Sequence, residues 1–196
     1  MPPASPSADG DYAAFINEME ARSFSGVLGL RFTRATADEV LAELPISARH
    51  HQPYGVVHGG VYASIIETLA SVGAGVSAFA YNKTVLGLEN HTSFLRAVRQ
   101  GTLHAKGTPL SRGRRAQVWE VAIHDDEGRL VATGRVRLLL LEADAQVAGM
   151  GLAFANPPAV LRDAQGQPAT PTGDPLRSSS AGSAVDDRGQ GKGDTP

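Results

Sequence analysis

Gly59-Gly-Val-Tyr-Ala-Ser-Ile-Ile-Glu67-Thr-Leu-Ala-Ser-Val-Gly-Ala-Gly-Val-Ser-Ala-Phe-Ala80 decides how this chain is read, because Glu67 is its only charged residue. Val61, Ile65, Leu69, Val72, Val76 and Phe79 recur at steps of four or three, so they form one apolar stripe of a helix that packs against a sheet. Gly60, Ala63, Ser64, Glu67, Ser71, Ala74 and Ala78 fall on the other side. Their small side chains leave room for a second chain or a ligand beside the carboxylate. Carboxylates are almost never fully buried without a partner or a task. Taken alone, the helix also allows Glu67 to point into solvent. At its start, His58-Gly59-Gly60 presents backbone N–H groups that have no partner within the helix and suit an anion or a polarised carbonyl oxygen.

The rest of the chain bounds what this helix belongs to. Its 196 residues suit one domain with tails. Eighteen Lys and Arg against twenty Asp and Glu leave no basic excess, which argues against nucleic acid or an anionic membrane as partner and favours a small molecule. Cysteine is absent, which excludes disulfides and cysteine nucleophiles. The N-terminal MPPASPSADG has no signal-peptide pattern, so a cytoplasmic protein is expected. Glu67, with Gly73 and Gly75 near the middle of the long helix, makes a membrane span costly. Residues 1–10 and 156–196 are rich in Pro, Gly and Ser and poor in large apolar residues; both are expected to be disordered around a domain at 11–150.

Around the long helix the pattern predicts an amphipathic helix from Asp11 to about Ser23, strands at Leu28–Thr36 and Glu39–Ile46, and a loop leading to His58. Four further strands are predicted at Thr84–Val98, Thr102–Leu110, Arg115–His124 and Leu130–Leu141, the last two joined by the turn Asp125-Asp-Glu-Gly128. Trp119, Val121 and Ile123 alternate with polar or small residues, as in a sheet with two unlike faces. The simplest arrangement is an α+β fold, one antiparallel sheet wrapped around one long central helix.

Gln52-Pro-Tyr-Gly-Val-Val-His58-Gly59-Gly60, with Glu67 nine residues after the His, resembles the active-site signature of hotdog-fold acyl-CoA thioesterases, in particular the phenylacetyl-CoA and 4-hydroxybenzoyl-CoA thioesterase families. The likeness runs from about Val27 to Leu141 and includes Gly113-Arg114-Arg115 and the Asp125-x-x-Gly128 turn. It implies a hotdog fold and hydrolysis of an acyl-CoA, aromatic or medium- to long-chain. In the implied site the Gly59 N–H receives the thioester carbonyl, and Gln52 helps to position or polarise it. Glu67 attacks the carbonyl or activates water, and Ser71 orients the water or the carboxylate. On the substrate side the resemblance implies His58 and Gly60, Phe94 on the following strand, and the turn Arg112-Gly113-Arg114-Arg115, which either meets the CoA nucleotide or is a solvated turn. Glu67, where related branches carry Asp, points toward the 4-hydroxybenzoyl branch.

Gly59 and Glu67 are eight residues apart, roughly 12 Å along a helix at ~1.5 Å per residue. Both cannot touch one carbonyl. A shared site therefore takes the donor from one subunit and the carboxylate from another, in a homodimer or a dimer of dimers. No cofactor beyond the CoA of the substrate and no metal is expected, since His50, His51 and His58 lack ligand spacing. Two alternatives are a non-catalytic acyl-CoA-binding module and a hotdog-fold hydratase; the carboxylate opposes the first and the lack of an Asp/His pair on this helix opposes the second.

Overall fold

The computed structural model describes residues 10–142 and 144–151, so apart from Gly10 the terminal stretches 1–10 and 156–196 lie outside the described residues. Helices α1 (Ala13–Glu20) and α2 (Phe24–Leu28) lead into strands β1 (Arg31–Ala35) and β2 (Val40–Pro45). A 3-10 turn at Ala48–His50 precedes the long helix α3 (Gly59–Phe79). Strands β3 (Lys83–Phe94), β4 (Thr102–Arg112), β5 (Ala116–His124) and β6 (Leu130–Glu142) follow, then a short hairpin of β7 (Gln146–Val147) and β8 (Met150–Gly151). The main sheet has the order β1-β2-β4-β5-β6-β3, with antiparallel neighbours throughout. It wraps α3, as the alternation predicts: Gln117, Trp119, Val121 and Ile123 of β5 all face inward.

Two local expectations are corrected. The first helix does not run to Ser23, and the first strand does not start at Leu28, because α2 intervenes. The Ser23 side chain caps α2 by accepting from the Ser25 N–H, and Gly29 closes it at φ +82°, a left-handed conformation that favours glycine. The second correction concerns Ala74 and Ala78, which are fully buried rather than on an open side of α3. Strand β3 crosses back over this half of the helix, bringing Val85 to 3.9 Å from where a Gly75 side chain would begin. The open side of α3 thus covers only its first three turns, up to Ser71.

α3 is long and apolar enough to cross a membrane by composition, yet its apolar residues are the centre of the domain. Ile65, Ile66 and Leu69 have no exposed surface, and Trp119 lies directly against Gly73, where a Cβ would overlap the indole ring. The indole N–H donates to Gln117 Oε1 at 2.8 Å, and Gln117 donates to Ser77 Oγ at 2.9 Å, so polar atoms carried into the core are paired. At the sheet's end, β3 pairs only with β6 among the described residues. Its outward side chains are exposed, Leu86 and Leu88 among them.

Candidate active site

The start of α3 is built by His58, whose ring Nδ1 accepts the Gly60 N–H at 2.9 Å. Among the described residues the Gly59 N–H has no acceptor, so the first donor of the helix is available to a ligand. The Phe94 ring lies against Gly59, so close that a Cβ there would meet it at 2.9 Å, and packs at 6.1 Å from the Tyr62 ring. Phe94 is thus placed at the donor end of α3, beside Gly59 and Gly60. The Tyr62 hydroxyl is buried without a partner among the described residues. Burial, and then the negative charge of Asp125, push its phenol above the usual value.

Gln52 is half-buried on a tight turn, with its N–H donating to Val56 O and its carbonyl accepting from Gly55 N–H, each at 2.9 Å. Gly55 takes φ +71°, and Arg99 Nη1 donates to both Tyr54 O and Gly55 O at 3.0 Å. The turn that carries Gln52 is therefore clamped from the β3–β4 connection, a support that no local pattern announces.

Glu67 is half-buried, and it faces β3. Asn90 Nδ2 donates to Glu67 Oε2 at 2.9 Å and to the Ala63 carbonyl of α3 at 3.1 Å, while Thr92 Oγ1 donates to Asn90 Oδ1 at 2.7 Å. Glu67 and Ser71 line one open cavity of about 580 Å³, with Ile16, Met19, Phe24, Phe79 and Val85 among its other lining residues. A carboxylate and a hydroxyl on the wall of a largely apolar cavity suit proton transfer to or from a bound acyl compound. His58, Gly59, Gly60 and Phe94 form a second group, which lies roughly 12 Å back along the helix from Glu67.

The arginine turn splits in two. Arg112 Nη2 donates to Ala37 O at 2.7 Å and to Asp38 Oδ1 at 2.5 Å, tying β4 to the β1–β2 turn. Arg114 and Arg115, on either side of the turn's end, are exposed with Gly113. Lys83, which also lines the cavity, reaches the Arg114 carbonyl at 3.5 Å and so links cavity and turn. His50 is buried, accepting from the Ser47 N–H at 3.0 Å and donating to Leu28 O at 2.8 Å, a structural pairing. No group of three or more potential metal ligands is found among the described residues.

Residues 54–132 match the thioesterase superfamily model, a stretch that contains Gly59, Glu67 and Ser71. The proofreading thioesterase EntH of Cronobacter sakazakii is 40% identical over 114 residues, which cover 58% of this chain and 82% of the relative. Two solved structures share the fold. Rv1847 of Mycobacterium tuberculosis is 43% identical with a TM-score of 0.61, covering 62% of this chain and 98% of that one. Thioesterase HI1161 of Haemophilus influenzae is 32% identical with a TM-score of 0.63, covering 66% and 90%. The chain belongs to the thioesterase superfamily, and its six-stranded antiparallel sheet around one central helix is the hotdog fold of that family.

Proposed function

We propose that the chain hydrolyses an acyl-CoA, with an aromatic or a medium- to long-chain acyl group, to the free acid and CoA. The observation that carries this reading is Glu67, the one charge of the core helix, set with Ser71 on the wall of an apolar cavity. In the proposed reaction the Gly59 N–H and Gln52 receive the thioester carbonyl oxygen as it becomes negative. A positioned donor of this kind contributes on the order of 10²–10³ in rate. Glu67 either removes a proton from the attacking water, or attacks the carbonyl carbon itself to form an anhydride that water then hydrolyses to the free acid and the carboxylate; in both routes the thiolate of CoA leaves and is protonated. Ser71, one turn further along the same wall, orients the water or the carboxylate.

Because Gly59 and Glu67 of one helix lie too far apart for one carbonyl, the reading places each site between two subunits. The exposed edge and apolar side chains of β3 support association there, since an unpaired edge strand is a template for another chain. A panel of acyl-CoA thioesters, scored by kcat/KM for free thiol release, tests the reading. Release from at least one class supports it; acyl-CoA binding with no release from any would leave a binding module.

For the nucleotide end, Arg114 and Arg115 are exposed and have no side-chain partner among the described residues, while Arg112 is engaged with Asp38. Replacing Arg114 and Arg115 by Ala is expected to raise KM for acyl-CoA with a smaller effect on kcat, because phosphate pairing is made equally in the ground state and the transition state. A short thioester without the nucleotide should hardly respond. Equal losses on both substrates would make the turn structural.

A further inference from the structure

The geometry points to Gly87 and Asn90 of β3 as a cradle that fixes the Glu67 carboxylate, Asn90 by holding Oε2 and Gly87 by leaving the space in which Oε1 sits. This rests on the reading of Glu67 as the reacting carboxylate. In a regular strand, residues three apart point to opposite faces. Here the β3–β6 register shifts between Gly87 and Glu89, so the extra residue Leu88 turns Gly87 and Asn90 to the same side, the side of α3.

Asn90 is committed in orientation. Its two amide hydrogens go to Glu67 Oε2 and Ala63 O, and its Oδ1 accepts from Thr92. The flipped amide would set its oxygen against two other acceptors, so the network admits one arrangement. With Oε2 tied in this way, Oε1 lies so near the position of a Cβ on residue 87 that the two would overlap. Any side chain there displaces the carboxylate. The displaced atom is the end of a flexible side chain and Gly87 itself is exposed, so Gly87→Ala is expected to fold normally and to act on the carboxylate alone.

Among the described residues Oε1 accepts no hydrogen bond, so the cradle leaves that oxygen for chemistry and makes Asn90 and Gly87 positioning residues. Gly87→Ala should lower kcat for thioester hydrolysis by about 10²-fold, the scale of a misplacement near 1 Å, with KM little changed and Tm within a degree or two. Asn90→Ala removes the donor to Oε2 without adding a charge and should move the acid limb of the kcat/KM profile to higher pH, since a hydrogen bond to the ionised form favours it. A merely structural role for residue 90 would leave that limb in place.

The decisive test is a double-mutant cycle. Asp at position 67 is one methylene shorter and does not reach the space over residue 87, so Gly87→Ala should cost much less in a Glu67→Asp background than in the wild type. The same fold loss in both backgrounds, or wild-type kcat in Gly87→Ala, overturns the cradle. Glu67→Gln, assayed alongside, separates the two levels. A dead Glu67→Gln with a fully active Gly87→Ala rejects the cradle and keeps Glu67 as the reacting group. A fully active Glu67→Gln rejects both.

Discussion

Glu67→Gln is expected to lower thiol release from a good acyl-CoA by at least ~10²-fold, the scale on which a positioned general base contributes. The amide keeps the size of the side chain and still accepts a hydrogen bond through its oxygen, so the Asn90 contact and the packing of α3 are preserved while the charge and basicity are lost. Substrate should still bind, because the cavity's apolar lining is unchanged. Glu67→Asp should retain more activity, since it shortens the reach without removing the group. Steady-state kinetics with a thiol-reactive dye reads both. Wild-type turnover in Glu67→Gln would reduce Glu67 to a structural acid and leave an acyl-CoA-binding module as the better account.

Trp119→Ala is expected to have the largest effect on the fold. The indole has no exposed surface, fills the space over Gly73 and donates to Gln117. Its removal leaves a cavity between α3 and β5 and an unpaired acceptor on Gln117. Deletions of this kind cost about 3–5 kcal/mol, a large share of the roughly 5–15 kcal/mol that holds a domain together. Thermal unfolding should therefore begin at least ~10 °C lower. Gly73→Ala should act in the same direction, because a Cβ there overlaps the indole ring. A melting curve for Trp119→Ala close to wild type would mean that the core collapses onto the vacancy without loss.

The central helix, the strand alternation and the split between Gly59 and Glu67 were legible from residue types and spacing, because each is a local periodic pattern. α2 was not, since Phe24–Leu28 is too short to show a helical period; its signals are the Ser23 cap and Gly29. The burial of Ala74 and Ala78 depends on where β3 crosses, a long-range fact that the helix sequence does not contain. The same holds for the site. Glu67 and Ser71 stand out on one helix face, whereas Asn90, Gly87 and Arg99 act from other elements. Gly87 had one local sign: a glycine inside a strand pattern often marks a bulge or a close approach. Arg112 belongs to a three-arginine turn in sequence, but only its pairing with Asp38 separates it from Arg114 and Arg115.

Mixing two inactive variants tests the shared site most directly. Gly59→Pro deletes the donor N–H while keeping the helix start, because proline is at home in the first position of a helix and His58 before it already has the extended conformation that proline requires; its ring also displaces Phe94, which belongs to the same half of the site. Glu67→Gln deletes the base. Each homodimer alone should be nearly inactive, but a heterodimer formed by co-refolding carries one site with both groups intact. An equal mixture of the two chains is predicted to recover about a quarter of wild-type thioesterase activity, since half the dimers are mixed and half their sites complete. No recovery in a mixture shown to contain heterodimers would place Gly59 and Glu67 in the same subunit's site and contradict the account.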